Sequence, residues 1–185
     1  MTITTYIILG VIVIVLLWLI LSYNRLISLR LRAKEALSDI EVQLKRRFDL
    51  IPNLVEAVKG YMQHERGVLE NVTKARTAVS QNSGNPIERA KSENMLSETL
   101  KTLFAVAENY PDLKASANFL DLQRELSDTE NKIQASRRFY NTTVMELNNA
   151  IQTFPTNLMA KPFGFKTEAF FDAPEAEEQP IKVQF

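Results

Sequence analysis

Hydrophobic and polar positions divide this chain into one stretch that is apolar on every side and several that are apolar on one side only. No side chain between Met1 and Asn24 is charged, and Ile7–Ile20 is almost purely aliphatic. A helix from Ile3 to Tyr23, rising about 1.5 Å per residue, spans roughly 31 Å and matches a bilayer hydrocarbon core of about 30 Å. Beyond it a seven-residue repeat takes over, with Ala33, Leu37, Ile40 and Leu44, then Ile51, Leu54, Val58 and Tyr61, then Val68, Val72, Ala75 and Val79. Apolar residues alternately three and four apart predict helices that bury one stripe each. Arg47 and Glu65 fall in two of the core slots, and we read them as packing irregularities rather than as buried, paired charges.

Pro52 lies inside the first of these helices, where proline removes a hydrogen bond and collides with the carbonyl four residues back, costing about 3 kcal/mol. Asp49 as an N-cap offers a fresh start, with Pro52 in the tolerated first turn. No Gly, Ser or Asn lies between Leu44 and Ile51, and the repeat keeps its phase across the proline. A kinked continuation is therefore favoured over a hairpin. Gln81-Asn82-Ser83-Gly84 is loop chemistry, and Asn85-Pro86-Ile87-Glu88 combines a capping side chain, proline at the first helical position and Glu three residues after the cap. The following helix carries Leu96, Leu100, Leu103 and Ala107 and stops at Tyr110-Pro111. A long helix from about Ala117 to Thr153 has the seam Phe119, Leu122, Leu126, Thr129, Ile133, Tyr140, Leu147 and Ile151, and Phe154-Pro155 ends it. The expected fold is all-α: one transmembrane helix, then an antiparallel bundle with left-handed crossing. It has three long helices if the chain continues through Pro52 and four if it breaks there. The expected parts are an anchor over 1–24, a helical bundle over 25–154 and an aromatic, acidic tail over 155–185.

The flanks of the apolar span orient it. Arg25, Arg30, Arg32 and Lys34 follow at once while nothing basic precedes it, which predicts an outer N-terminus and a cytoplasmic bundle. Trp18 and Tyr23 are candidate interfacial anchors, and Arg25, Arg30 and Arg32 candidate headgroup contacts. A cleaved signal peptide predicts a basic start and a small-residue cleavage site, and neither is present.

Composition then narrows the chemistry. The 22 basic and 22 acidic residues cancel, giving no global reason to expect a polyanionic partner such as nucleic acid. The absence of Cys excludes disulfides, thiolate metal sites and thiol nucleophiles, and a single His excludes a His-rich metal cluster. His64-Glu65 is the one imidazole–carboxylate neighbour pair; adjacent helical residues point about 100° apart and cannot share an ion. Lys45-Arg46-Arg47 spreads around a helix instead of forming one patch, which suggests internal pairing with carboxylates such as Glu108 or Glu130. Glu130, Asn131, Arg137, Arg138 and Asn141 surround Ile133 and Tyr140 and suit a hydrogen-bonded polar layer that fixes register between helices. No cofactor or metal is expected, and no catalytic residue is assigned.

The tail is the least conventional stretch. Six of the ten Phe lie beyond Thr153. An aromatic, proline-broken segment packs across its own bundle or binds another subunit. Phe163, Phe165, Phe170 and Phe171 are the candidate contacts, joined by Ile181, Val183 and Phe185 of a terminal alternating strand-like run. Glu175–Glu178 reads as a spacer.

Ordered blocks along nearly the whole chain resemble the LemA family: Tyr23-Asn24-Arg25-Leu26 after the anchor, Lys45-Arg46-Arg47-Phe48-Asp49-Leu50-Ile51-Pro52-Asn53-Leu54-Val55, Ala75-Arg76, and Glu108-Asn109-Tyr110-Pro111-Asp112-Leu113-Lys114-Ala115. Asn118-Phe119, Thr129-Glu130-Asn131-Lys132-Ile133, Arg137-Arg138-Phe139-Tyr140-Asn141 and Phe154-Pro155 complete the set. The resemblance implies a membrane helix with a short outer N-terminus and a helical cytoplasmic domain, in a bacterial cytoplasmic membrane. It adds no catalytic chemistry. Its polar signature positions (Arg46, Arg47, Asp49, Pro52, Asn53, Glu130, Asn131, Arg137, Tyr140 and Asn141) are taken as structural. Together these readings predict a membrane-anchored, non-enzymatic scaffold that self-associates, with the bilayer, further copies of itself or another membrane protein as partners. The alternative is an adaptor for a membrane protease.

Overall fold

The computed structural model describes residues 3–81 and 86–171. Among them there is no strand, and six helices follow in order: α1 (Ile3–Lys59), α2 (Arg66–Gln81), α3 (Pro86–Ala107), α4 (Pro111–Lys114), α5 (Ala117–Gln152) and α6 (Asn157–Ala160). The chain packs as two compact units, one made of the residues up to Ser38 with Arg138–Phe170, the other of Asp39–Arg137 with Phe171.

In the second unit α1, α2, α3 and α5 form an up-down-up-down bundle. Arg89 pairs with Glu41 at 3.1 Å while Arg47 meets Glu93, so α1 and α3 run the same way. Phe104 faces Phe119 at 6.2 Å between centroids and Asn94 accepts from Arg137 at 2.9 Å, so α5 runs against α3. Ile51, Leu54 and Val58 of α1 share a core with Val72 and Ala75 of α2, Leu96, Leu100 and Leu103 of α3, and Phe119, Leu122 and Leu126 of α5. These are the seams that the repeat predicts.

Pro52 stays inside α1, as the unbroken phase predicts, and Asp49 is an exposed mid-helix residue, not a cap. The break comes eight residues later, where the sequence reading carries the repeat straight on. Gly60 is a poor helix former by about 1 kcal/mol. There the Tyr61 and Met62 N–H groups both donate to the Val58 carbonyl at 3.0 Å, and the Glu65 carbonyl accepts from Val68 and Leu69 to start α2. The bundle thus has four long helices although the chain does continue through Pro52. Reversal also moves the core position from Tyr61, which is exposed, to Met62, which is fully buried.

The proline costs less than its position suggests. The carbonyl it leaves without an N–H is that of Phe48, and Arg76 Nε on α2 donates to that oxygen at 3.2 Å. The Arg76 guanidinium also lies over the Phe48 ring, 3.8 Å from its centroid. A vacancy in the α1 ladder becomes a charged hydrogen bond between α1 and α2.

The first unit is simpler. From Ile3 to Leu17 α1 is exposed on all sides, and none of its most apolar 18-residue window is buried. Leu26, Leu29, Ala33 and Ala36 are buried, as are Val144, Leu147 and Ala150 of α5.

Candidate functional site: a buried arginine cluster and an aromatic collar

Arg47 occupies the slot of α1 between Leu44 and Ile51, so the periodicity that buries its neighbours carries it inside as well. It is 1% exposed and pairs with the carboxylates of both Glu93 and Glu130. Its guanidinium also donates to Ser97 Oγ at 2.6 Å and to the Glu93 carbonyl at 3.3 Å. The paired-charge alternative therefore replaces the packing-irregularity reading of this slot. Desolvating an arginine is costly unless opposite charges and hydrogen bonds surround it, and here α3 and α5 supply them. Glu65, the other polar slot, lies beyond α1 in the turn, where its Oε1 accepts from the Tyr110 hydroxyl at 3.2 Å. Loss of water around the phenol, and then its bond to Glu65, hold the Tyr110 pKa above its ordinary value.

Sequence reasoning named Glu108 and Glu130 as partners for this basic cluster; Glu130 meets it, Glu108 is exposed near the end of α3, and Glu93 and Ser97 were missed. A signal was present, since Glu93 falls between Ala90 and Leu96 on the buried face of α3. An acid in one seam and a base in another are complementary only if the helices bring them level. Ser97 is fully engaged: its oxygen accepts from Arg47, and its hydroxyl donates to the Glu93 carbonyl or the Glu130 carboxylate at 3.2 Å.

A cleft of about 640 Å³ opens beside this cluster, lined among others by Ser97, Phe104, Arg124, Glu130 and the exposed Asn131. Its rim charges are tied to acids or bases one turn away on their own helices. Lys101 bonds Glu98 at 2.7 Å, which raises the amine pKa, and Lys132 bonds Asp128 at 2.7 Å, which lowers the carboxyl pKa. Arg124 pairs with Asp121 at 3.1 Å. Such a rim presents alternating signs and no focused field for a charged ligand. Arg46 pairs with Glu125 on the surface, Pro52 and Asn53 are exposed, and His64 is exposed in the α1–α2 turn. Among the described residues no three His, Cys, Asp or Glu side chains are grouped to hold a metal.

In the first unit the polypeptide after α5 folds back along that helix. Asn148 grips the Glu168 backbone with two hydrogen bonds of 2.9 Å, and the Tyr140 hydroxyl donates to the Ala169 carbonyl at 3.0 Å. Burial, and secondarily the charge of Glu168, raise the Tyr140 pKa. Asn141 is half-buried. Phe165 is buried against Tyr23, with ring centroids 5.9 Å apart, and the Arg30 guanidinium lies over the Phe165 ring, 5.6 Å from its centroid. Phe163 meets the same Tyr23 ring at 5.1 Å. Residues proposed separately as interfacial anchors and as tail contacts are thus one collar. Trp18 is half-buried, Arg25 lines a crevice with Glu146 and Asn149, and Arg32 is exposed. In the second unit, the buried Phe171 lies under Arg137 at 4.9 Å. Phe163 and Phe170 remain exposed, while Ile181, Val183 and Phe185, the predicted loop residues Asn82, Ser83 and Gly84, the predicted cap Asn85 and the predicted Glu175–Glu178 spacer fall outside the described residues.

With this geometry in place, the similarities to known proteins are specific. The LemA family model matches residues 36–185, and the LemA protein of Metamycoplasma hominis is 30% identical across 85% of this chain and 72% of its own length. The chain belongs to the LemA family. It is also similar to the magnetosome protein MamQ of Magnetospirillum gryphiswaldense and to MamQ 1 of Paramagnetospirillum magneticum. Each is 24% identical across 88% of this chain and 69% of the relative. The family signature blocks include Arg47, Pro52, Arg76 and Glu130; in this LemA chain the Arg47, Arg76 and Glu130 side chains bond between helices, and Pro52 vacates the Phe48 carbonyl that Arg76 takes up.

Proposed function

We propose that this LemA-family chain is a single-pass, non-enzymatic membrane scaffold whose helical domain self-associates beneath the bilayer. The observation that carries the reading is the start of α1, which is apolar around its whole circumference and, among the described residues, covered by no other part of the chain. A helix of that kind is stable where lipid replaces water. The basic residues Arg25, Arg30 and Arg32 favour a cytoplasmic position for the rest. Arg47, Arg76 and Tyr140 of the signature blocks form hydrogen bonds within the chain, which supports an architectural role over a catalytic one. Tethering raises the effective concentration of the domains in the plane of the membrane, so modest contacts suffice for assembly.

Mass measurement and particle imaging of the full-length chain in mild detergent test this proposal. A homogeneous ring, cage or other large assembly is the expected result. A monomer at all concentrations defeats the scaffold reading, and a chain washed from membranes by alkaline carbonate defeats the anchor.

A further inference from the structure

We propose that the segment after α5 is a second membrane contact: Phe154, Leu158 and Phe163 enter the headgroup and upper acyl region of the leaflet at which the apolar part of α1 ends. The inference rests on the anchor reading above, because the span sets the depth.

Three observations converge on it. The first is exposure. Phe154 is 78%, Leu158 61% and Phe163 56% exposed, three large apolar side chains within ten residues. Their neighbours Met159, Ala160 and Phe165 are buried, so the segment is folded and its outward side chains are presented by a fixed backbone. That backbone is specified locally. Phe165 N donates to the Ala160 carbonyl at 2.9 Å and Gly164 N to the Lys161 carbonyl at 3.2 Å, the paired bonds of a Schellman turn. Gly164 at φ 71° makes the turn possible, since a side chain there is disfavoured. The turn sends Phe165 inward and leaves Phe163 outward.

The second observation is level. Tyr23 is the last residue of the bilayer-length stretch, and its ring packs against those of Phe163 and Phe165, with centroids 5.1 and 5.9 Å away. Thr153 and Thr156 line the same crevice as Arg25 and Leu29, which places the start of the segment within about two turns of the end of the span. An aromatic ring held against Tyr23 therefore lies where interfacial aromatics reside.

The third is charge. Residues 153–166 include Lys161 and Lys166 and no Asp or Glu. Both lysines are exposed, and Arg25 and Arg30 of α1 belong to the same unit. Apolar side chains flanked by exposed cations suit an anionic lipid surface, where burial and phosphate attraction act together. A second copy of the chain would also cover apolar rings, but the bilayer is already at this level through α1.

The chain's single tryptophan makes the test direct. Full-length protein is reconstituted into vesicles of phosphatidylcholine brominated high on the acyl chain, mixed with phosphatidylglycerol, and fluorescence is compared with unbrominated vesicles. In the native sequence Trp18 reports the span. In a Trp18→Phe background, Phe163→Trp and Leu158→Trp report the segment, and Phe139→Trp is the control: an equally exposed aromatic site in the same unit, about 20 Å back along α5 from its end. The expected result is a loss of intensity at positions 158 and 163 comparable to that of Trp18, with none at 139. Quenching of Trp18 but not of 158 and 163, or equal quenching at 163 and 139, overturns the second contact and leaves the anchor standing. An unquenched Trp18 overturns the anchor reading itself. Concentration-dependent blue-shifted emission at 163 without bromine quenching assigns the patch to a second copy and also overturns the proposal.

Discussion

The bundle around Arg47 and the collar around Tyr23 break the same rule in opposite directions. One places a charge where the helical repeat calls for an apolar side chain, and the other leaves large apolar side chains facing outward. In the bundle the violation is answered from within: Glu93, Glu130 and Ser97 arrive from two further helices and neutralise Arg47. In the collar only half of it is answered from within, since Phe165 is covered and Phe163 is not. The contrast teaches that a misplaced side chain marks a demand for a partner, and that burial tells whether the chain itself supplies one.

The strongest way to break the comparison is to remove Arg47. Arg47→Met leaves Glu93 as an uncompensated buried carboxylate and is expected to cost about 3–5 kcal/mol, read as a lower urea midpoint for the full chain in micelles. Adding Glu93→Leu and Glu130→Leu to it is expected to recover most of that loss, since an apolar layer of similar volume needs no pairing. If the triple variant is no more stable than Arg47→Met, the loss is one of packing rather than of stranded charge.

Next in size is the proline joint. Arg76→Leu removes a charged donor from the Phe48 carbonyl and a cation from its ring, and is expected to cost about 2 kcal/mol in the same assay. In a Pro52→Ala background position 52 regains an N–H for that carbonyl, so the same substitution is expected to cost visibly less. Equal costs in both backgrounds would separate Arg76 from the proline.

At the collar, Tyr140→Phe deletes the bond to Ala169 and is expected to cost about 1 kcal/mol, read as faster protease cleavage between Lys161 and Phe170. The Tyr140 phenol has a raised pKa in the fold, so the folded state holds its proton more tightly than the unfolded state does. Its contribution is complete below the ordinary phenol value of about 10 and is lost as pH rises through the raised value. Protection of the segment should fall in that alkaline window in the native chain, and the fall should be absent from Tyr140→Phe. Smallest is Arg46→Ala. Its ion pair with Glu125 is solvent-exposed on both sides, and the expected change is about 0–1 kcal/mol, shrinking further in salt.

Much of this architecture could be read from residue order. The apolar start, the seams of α3 and α5 and the helical passage through Pro52 each depend on side-chain spacing along one helix. The turn at Gly60 was hidden because the repeat happens to resume in phase at Val68, so periodicity alone reads through a reversal. The Schellman turn at Gly164 escaped notice for a related reason: one glycine among aromatics specifies nothing until its flanking carbonyls are placed.

Local sequence determined which positions must face inward, because a helix turns by a fixed angle per residue and sorts side chains without reference to anything distant. It put Arg47 in a core slot of the repeat without deciding that the slot is buried, and it marked the residues before Asn24 as needing a nonpolar surround. Tertiary structure alone decided what waits there. Glu93 meets Arg47, and Arg76 meets the carbonyl that Pro52 vacates, only because chain reversals set distant turns of different helices level with one another. Register across helices depends on where every intervening turn falls, and no single segment carries that information.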